Sequence, residues 1–403
     1  MPSDAPFRYR SSGFRIFAGE DALANLLPEV ERAGVRRAFA VCGRSIATGT
    51  DLLDRVRAVL GDRYSGSFER AQAQSPLPSV LEGVEAARAA GGDAIVAIGG
   101  GSATVTARGI AILMAEQGTA RELATKYPPG QRPVSPRLDA PKAPNFLVLT
   151  TPTSAMARAG TALIDPERQH RLEMFDPKTR AAAVFWDTAA LLTAPAALFL
   201  SAAVATYTQI VTGLATTTPN PIADGDRQQA LRLFVQYMPR IESDGSDGAA
   251  RQQLMAAAFL TNRSGDVDAR GGGGGGFGAL GSIAHSLDTR YGNVGHGESY
   301  AIVTPHVLRY NLAETAPQQA RLARVIGAAT AETPEAEAAA AAAPAVEATL
   351  TALGMPRRMR DVAVPEDGLE LLAADAMEDF GLGGNARSIA SQDDLMPLLR
   401  EMW

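Results

Sequence analysis

Through the first half of the chain, short apolar runs alternate with helical periodicities. Residues 38–41 (Ala-Phe-Ala-Val), 94–98 (Ala-Ile-Val-Ala-Ile) and 146–149 (Phe-Leu-Val-Leu) are continuous apolar runs of strand length, while residues 52–60 and 80–90 repeat apolar positions every three or four residues. Strands buried on both faces read as unbroken apolar runs, and helices between them supply the crossovers of a parallel sheet. From about Asp187 onward the strand pattern stops and long helical patterns take over. The expected division is an α/β, Rossmann-like domain with a parallel sheet over residues 1–187 and an all-helical domain over residues 188–403.

Three stretches depart from this alternation. Residues 188–223 carry no charged side chain, and residues 191–211 would be long enough to cross a bilayer. Pro195, Ser201, Thr206, Tyr207, Thr208 and Gln209 make that run too polar for a span, so it reads as a buried core helix and no membrane partner is expected. Residues 271–276 are six consecutive glycines, which cannot hold a regular element and read as a loop. Residues 335–343 are almost entirely Ala and Glu, the composition of a plain surface helix.

Composition narrows the function. With 403 residues, 46% hydrophobic and 20% charged residues and a net charge of −6, the chain has the make-up of an ordinary globular protein. Lys and Arg are scattered, without the basic face that neutralises phosphates, so nucleic acid is not an expected partner. Cys42 is the only cysteine, which leaves no intramolecular disulfide and no cysteine metal cluster. The first residues lack the charged-then-apolar layout of an export signal, and a cytoplasmic protein is expected.

The candidate chemistry begins where the apolar run 94–98 meets Gly99-Gly100-Gly101-Ser102 and a helical pattern opens at once. Without side chains, backbone N–H groups at a helix N-terminus can take phosphate oxygens, and the helix dipole adds to the attraction. A tight turn uses glycine for steric reasons as well, so the pattern alone carries both readings. A second polar loop, Thr150-Thr151-Pro152-Thr153-Ser154, follows the run 146–149, and a third, Gly43-Arg44-Ser45, follows the run 38–41. Loops at the carboxyl edge of a parallel sheet are where dinucleotides bind. The expected cofactor is NADP or NAD. Arg44, in place of an acid for the ribose hydroxyls, favours the 2′-phosphate of NADP, and it also reads as a solvated loop charge.

At this point the chain resembles the iron-containing alcohol dehydrogenase superfamily over nearly its whole length. Phe17-Ala18-Gly19, residues 93–102, Phe185-Trp186-Asp187, Gly295-His296-Gly297, residues 304–311, Leu353-Gly354-Met355-Pro356 and Asn385-Ala386-Arg387 fall in the family's order. The resemblance implies the dehydroquinate synthase-like, iron alcohol dehydrogenase-like fold, with nicotinamide and a divalent metal between an α/β and a helical domain. In the family an Asp and a His four residues later, with two further His, hold that metal. Here Tyr207, Val211 and Gly281 stand at three of those positions, and only His296 is kept. Neither phenol, valine nor glycine is a useful donor at neutral pH, so no iron or zinc is expected. The cofactor loop differs too, with Val105 where the family commonly has an acid and Arg108 where it has a lysine.

Without a Lewis acid, Tyr207, His285 and His296 are the catalytic candidates. A phenol at Tyr207 whose pKa is lowered by nearby cations could deprotonate a substrate hydroxyl, or Tyr207 could fill the space the metal has left. His285 and His296 titrate near neutrality, and His296 could equally be kept for its turn. The expected activity is metal-independent NAD(P)-dependent oxidation of an alcohol or hydroxy acid, small or at a peptide terminus. Oxidative decarboxylation in natural-product biosynthesis is one form of it. The alternative is a silent relative that acts as scaffold or partner of another enzyme. A homodimer or a complex with a pathway enzyme fits either reading.

Overall fold

Eight strands form among the described residues of the computed structural model: β1 (Arg15–Gly19), β2 (Ala38–Cys42), β3 (Tyr64–Phe68), β4 (Ala94–Gly99), β5 (Asn145–Leu149), β6 (Thr161–Asp165), β7 (His170–Met174) and β8 (Ala181–Asp187). The structure describes residues 13, 15–128, 133–167, 170–216, 220–265, 278–379 and 381–403, so the six-glycine run at 271–276 lies outside the described residues. Six strands make one sheet in the order β1-β8-β5-β4-β2-β3, and every pairing in it is parallel. β6 and β7 pair antiparallel as a separate ribbon.

The central strands are the ones the apolar runs marked: every residue of β2, β4 and β5 is buried. The edges were harder to read. β3 is Tyr-Ser-Gly-Ser-Phe, with only its last residue fully buried, and β1 is partly exposed. An edge strand with one partner does not need the apolar sequence that marks a central one.

The chain divides into two compact units. One, α/β, comprises residues 12–195 with 246–255; the other, helical, has 196–245 and 256–403 as its main segments. Residues 246–255 join the α/β unit through backbone carbonyls: Gln252 Nε2 donates to Trp186 O, and Arg251 Nη1 donates to the carbonyls of Leu191 and Ala194 (2.8 Å to the latter). Asp187, at the end of β8, is 1% exposed. It accepts from Leu23 N at 3.2 Å and from Ala190 N at 3.1 Å, and pairs with Arg55 Nη2 at 2.8 Å. The Phe-Trp-Asp landmark is therefore a structural joint within this unit.

In the helical unit, the charge-free stretch forms the helix Ala196–Thr216. Its length and hydropathy suffice for a bilayer, but it packs against the helices Pro221–Ser243, His296–Tyr310 and Leu312–Val325. Ala203, Val204, Tyr207, Ile210, Val211 and Leu214 are buried there, which explains why no charge interrupts the run.

The alanine-rich segment corrects its reading as a plain surface helix. Within the helix Glu335–Ala352, Ala338, Ala339, Ala342 and Ala343 are buried, and Ala338 and Ala339 form an apolar cluster with Ala320 of the helix Leu312–Val325. Alanine serves here for its small size as well as its helix propensity, because a small side chain lets two helices approach closely.

Candidate functional site

The chain leaves β2 for β3 on one side and returns to lay β4 on the other side of β2. That reversal between β2 and β4 is a topological switch point, and the crevice beyond its carboxyl ends is where open α/β sheets take ligands. The loops after β2, β4 and β5 all lie on this edge, because the three strands are neighbours and parallel. All eleven loop residues singled out by sequence (Gly43, Arg44, Ser45, Gly99, Gly100, Gly101, Ser102, Thr150, Thr151, Thr153 and Ser154) are thus gathered at one end of one sheet.

The glycine turn has both of the properties that sequence left open. A Cβ on Gly100 would stand 2.6 Å from Thr151 Oγ1, and one on Gly101 would stand 3.0 Å from Thr153 Oγ1. Glycine is required because the β5 loop presses against the β4 loop. The turn also opens the helix Gly101–Ala115 with no side chain capping its N-terminus. Uncapped N–H groups beside a side-chain-free turn fit a pyrophosphate. The turn is braced from below by a residue sequence reasoning missed: Ser75, buried and at φ +51°, donates to Ser102 O at 3.0 Å and accepts from Thr106 Oγ1 at 2.9 Å. Arg44 and Ser45 are exposed at the start of the helix Arg44–Gly49, so neither reading of Arg44 is removed. Cys42, beneath them, is buried; its burial, then the charge of Glu69, pushes its thiol up to about 12 and leaves it inert.

In the helical unit, His285 and His296 belong to one cluster. His285 lies in the helix Ala279–Arg290 and His296 opens the helix His296–Tyr310. Their rings stack with centroids 6.3 Å apart and planes 8° from parallel, and Tyr300 stands edge-on to both, at 5.8 and 4.9 Å. Tyr300 Oη is 2.8 Å from His285 Nε2. Each imidazole has its own carboxylate: Asp288 Oδ2 lies 2.6 Å from His296 Nδ1, and Asp379 Oδ2 lies 3.6 Å from His285 Nδ1. Burial would raise the Asp379 pKa, but the hydrogen bond and charge of His285, the Gly381 N–H and the Ser282 hydroxyl together hold it below the usual carboxylate value. His296 is half exposed, whereas Tyr300 is buried.

Asp288, Tyr300 and Asp379 were absent from the sequence reading. Asp288 had a signal, since it lies three residues after His285 and one turn of helix brings i and i+3 to the same face. Asp379 had none, because it arrives from beyond the helix Leu369–Glu378. The turn around His296 also divides by role. A Cβ on Gly297 would stand 2.2 Å from Ser201 O, and Gly297 N donates to Ser201 Oγ at 3.1 Å. Glycine is fixed there by that close approach, while the exposed His296 ring is not needed for it.

Tyr207 corrects its expectation. It is fully buried, edge-on to Phe234 with centroids 6.1 Å apart. Burial pushes its phenol up to about 12, opposed only by Thr349, whose own hydroxyl is donated to Ala345 O at 3.1 Å. Among the described residues no cation lowers this pKa, and Tyr207 Oη lacks a well-formed hydrogen bond. Val211 and Gly281 are likewise buried. A neutral phenol, a valine, a glycine and one imidazole do not fit a divalent metal. Among the described residues, no three or more His, Cys, Asp or Glu are placed to hold one.

Comparison with known proteins bears out the fold and the family. The iron-containing alcohol dehydrogenase family matches residues 14–188, and the C-terminal region of the Fe-containing alcohol dehydrogenase family matches residues 204–403. The NAD-dependent methanol dehydrogenase of Bacillus methanolicus is 26% identical over 327 residues, 81% of each chain. The lactaldehyde reductase of Escherichia coli (strain K12) is 27% identical over 397 residues, covering 96% of this chain and 97% of its own. The crystal structure of a 1,3-propanediol oxidoreductase superposes with a TM-score of 0.86 at 22% identity, covering 99% of this chain and 100% of that one.

Proposed function

The chain belongs to the iron-containing alcohol dehydrogenase family, and from that premise we propose that it is a nicotinamide-dependent oxidoreductase of an alcohol or hydroxy acid whose proton chemistry runs on His296 instead of a bound metal. The observation that carries this reading is the Asp288–His296 pair at 2.6 Å; the resemblance to the family implies a ligand position for His296.

NADP or NAD would be held by the N–H groups at the start of the helix Gly101–Ala115 and by the loops after β2 and β5, and it supplies the hydride acceptor. The chain's own residues manage the proton. Asp288 accepts from His296 Nδ1–H, which fixes the tautomer and leaves Nε2 as the acceptor. His296 Nε2 takes the proton of the substrate hydroxyl as hydride leaves its carbon, and the Asp288 carboxylate stabilises the resulting imidazolium. Asp379, 3.6 Å from His285 Nδ1, supplies charge rather than a close hydrogen bond, and His285 Nε2 holds Tyr300 Oη at 2.8 Å, so the ring edge beside His296 is fixed. Tyr207 has no part in this; it packs.

The finer substrate reading is a β-hydroxy acid, in a natural-product or peptide context. Oxidation gives a β-keto acid, whose carboxylate carbon leaves as carbon dioxide while the bonding electrons pass to the ketone as an enolate. Carbon dioxide released in step with NAD(P)H supports this reading, and reduced cofactor without gas removes it.

The test of the central reading is an oxidation assay over a panel of small alcohols and hydroxy acids, with protein stripped by a strong chelator. Activity is expected to survive chelation, and His296→Asn to lower kcat by about 10²–10⁴, the usual worth of a general base. Activity lost on chelation and restored by iron or zinc would overturn the metal-independent mechanism.

A further inference from the structure

A second cluster of charge, apart from the glycine turn and from the histidines, lies in the α/β unit. Arg108 is two turns into the helix Gly101–Ala115 and is 1% exposed. Its Nε and Nη2 atoms are buried without a hydrogen-bond partner, and it forms no ion pair among the described residues. The charges of Arg180 and Arg158 act on it. Burial first, then the charges of Arg180 and Arg158, lower the Arg108 guanidinium to about 9, so it stays charged at neutral pH against an unfavourable field.

The surroundings are built. Val105, one turn before Arg108 on the same helix face, accepts from Thr161 Oγ1 at 2.7 Å, which draws the start of β6 onto that face. Gly160 N donates to Thr179 Oγ1 at 2.7 Å, and Arg180 Nη1 donates to Ala157 O. The segment 157–161 is thus tied to residues 179–180 and to the helix. Exposure falls from Arg158, which is exposed, through the half-buried Arg180 to the buried Arg108, so positive charge leads inward from the surface.

A buried charge without a partner is among the costliest features a fold can keep, and among the described residues no carboxylate or hydrogen bond offsets this one. A guanidinium is planar and always charged near neutrality, and two adjacent N–H groups match the two oxygens of a carboxylate or a phosphate. We propose that Arg108, Arg180 and Arg158 form an oxyanion site, with Arg108 as the inner bidentate donor to a carboxylate or phosphoryl group. It is separate from the pyrophosphate turn at Gly100–Ser102 and does not rest on the assignment of His296.

The experiment is thermal unfolding of the full chain, titrated with sodium phosphate and with sodium acetate, each against sodium chloride at equal ionic strength. The wild type is expected to gain Tm saturably. Arg108→Met is expected to lose that gain and, in chloride alone, to melt at or above the wild-type Tm. Comparing the two proteins cancels any general salt effect. A response to phosphate alone marks a phosphoryl group as the ligand, and a response to acetate as well marks a carboxylate. Arg158→Gln, at an exposed position, is expected to shift the titration midpoint several-fold upward, and it supplies the test if Arg108→Met does not fold. The proposal is overturned by no saturable response in the wild type. It is also overturned by an undiminished response in Arg108→Met, which would place the anion at the glycine turn, or by an unchanged midpoint in Arg158→Gln.

Discussion

At Tyr207 the hydroxyl is buried, has no well-formed hydrogen bond and has a raised pKa. A buried polar group without a partner costs about 1–3 kcal/mol. Tyr207→Phe should therefore leave kcat within about twofold and stability unchanged or higher by about 1 kcal/mol in urea unfolding; a drop in kcat of a hundredfold or more would return Tyr207 to the catalytic set. The contrast with His296 is one of access. The family resemblance implies a metal-ligand position for each, yet only His296 has an exposed ring and a carboxylate at one nitrogen. Sequence could identify both positions, but not which of them faces solvent, because exposure is decided by neighbours such as Phe234 that are distant in the chain.

Among the elements, the strands and helices of the centre were legible and their contacts were not. The apolar runs at β2, β4 and β5 are long and fully buried, so the pattern and the structure coincide. The helix Glu335–Ala352 shows the limit of that reading. Its composition marks a helix without marking which alanines face inward, since alanine carries no polar face to give the period away. A consequence follows for substitutions. Ala339→Leu, which adds bulk where Ala320 and Ala338 pack, should cost about 1–3 kcal/mol by overpacking. Ala340→Leu, one residue on and exposed, should stay within about 0.5 kcal/mol. Equal effects of the two in denaturant unfolding would contradict the packed alanine face.

For the whole molecule, the decisive prediction is binding. If the three loops at the carboxyl edge hold a dinucleotide, NADP or NAD at about 100 times its Kd should stabilise the protein by about 2.7 kcal/mol, seen as a rise in Tm and as heat in titration calorimetry. No binding of either would favour the scaffold reading, in which the fold persists without its reaction. The sequence by itself determined the family, the α/β and helical character of the two halves and the loops that gather at the sheet edge, because these depend on residue type, period and order along one chain. Tertiary structure decided the rest. It closed Tyr207 against Phe234, brought Asp379 toward His285 and Tyr300 edge-on to both histidines, and left Arg108 buried in the field of Arg158 and Arg180. Those properties are burial and charge environment, which arise only when segments far apart in sequence are brought within a few ångströms and water is removed from between them.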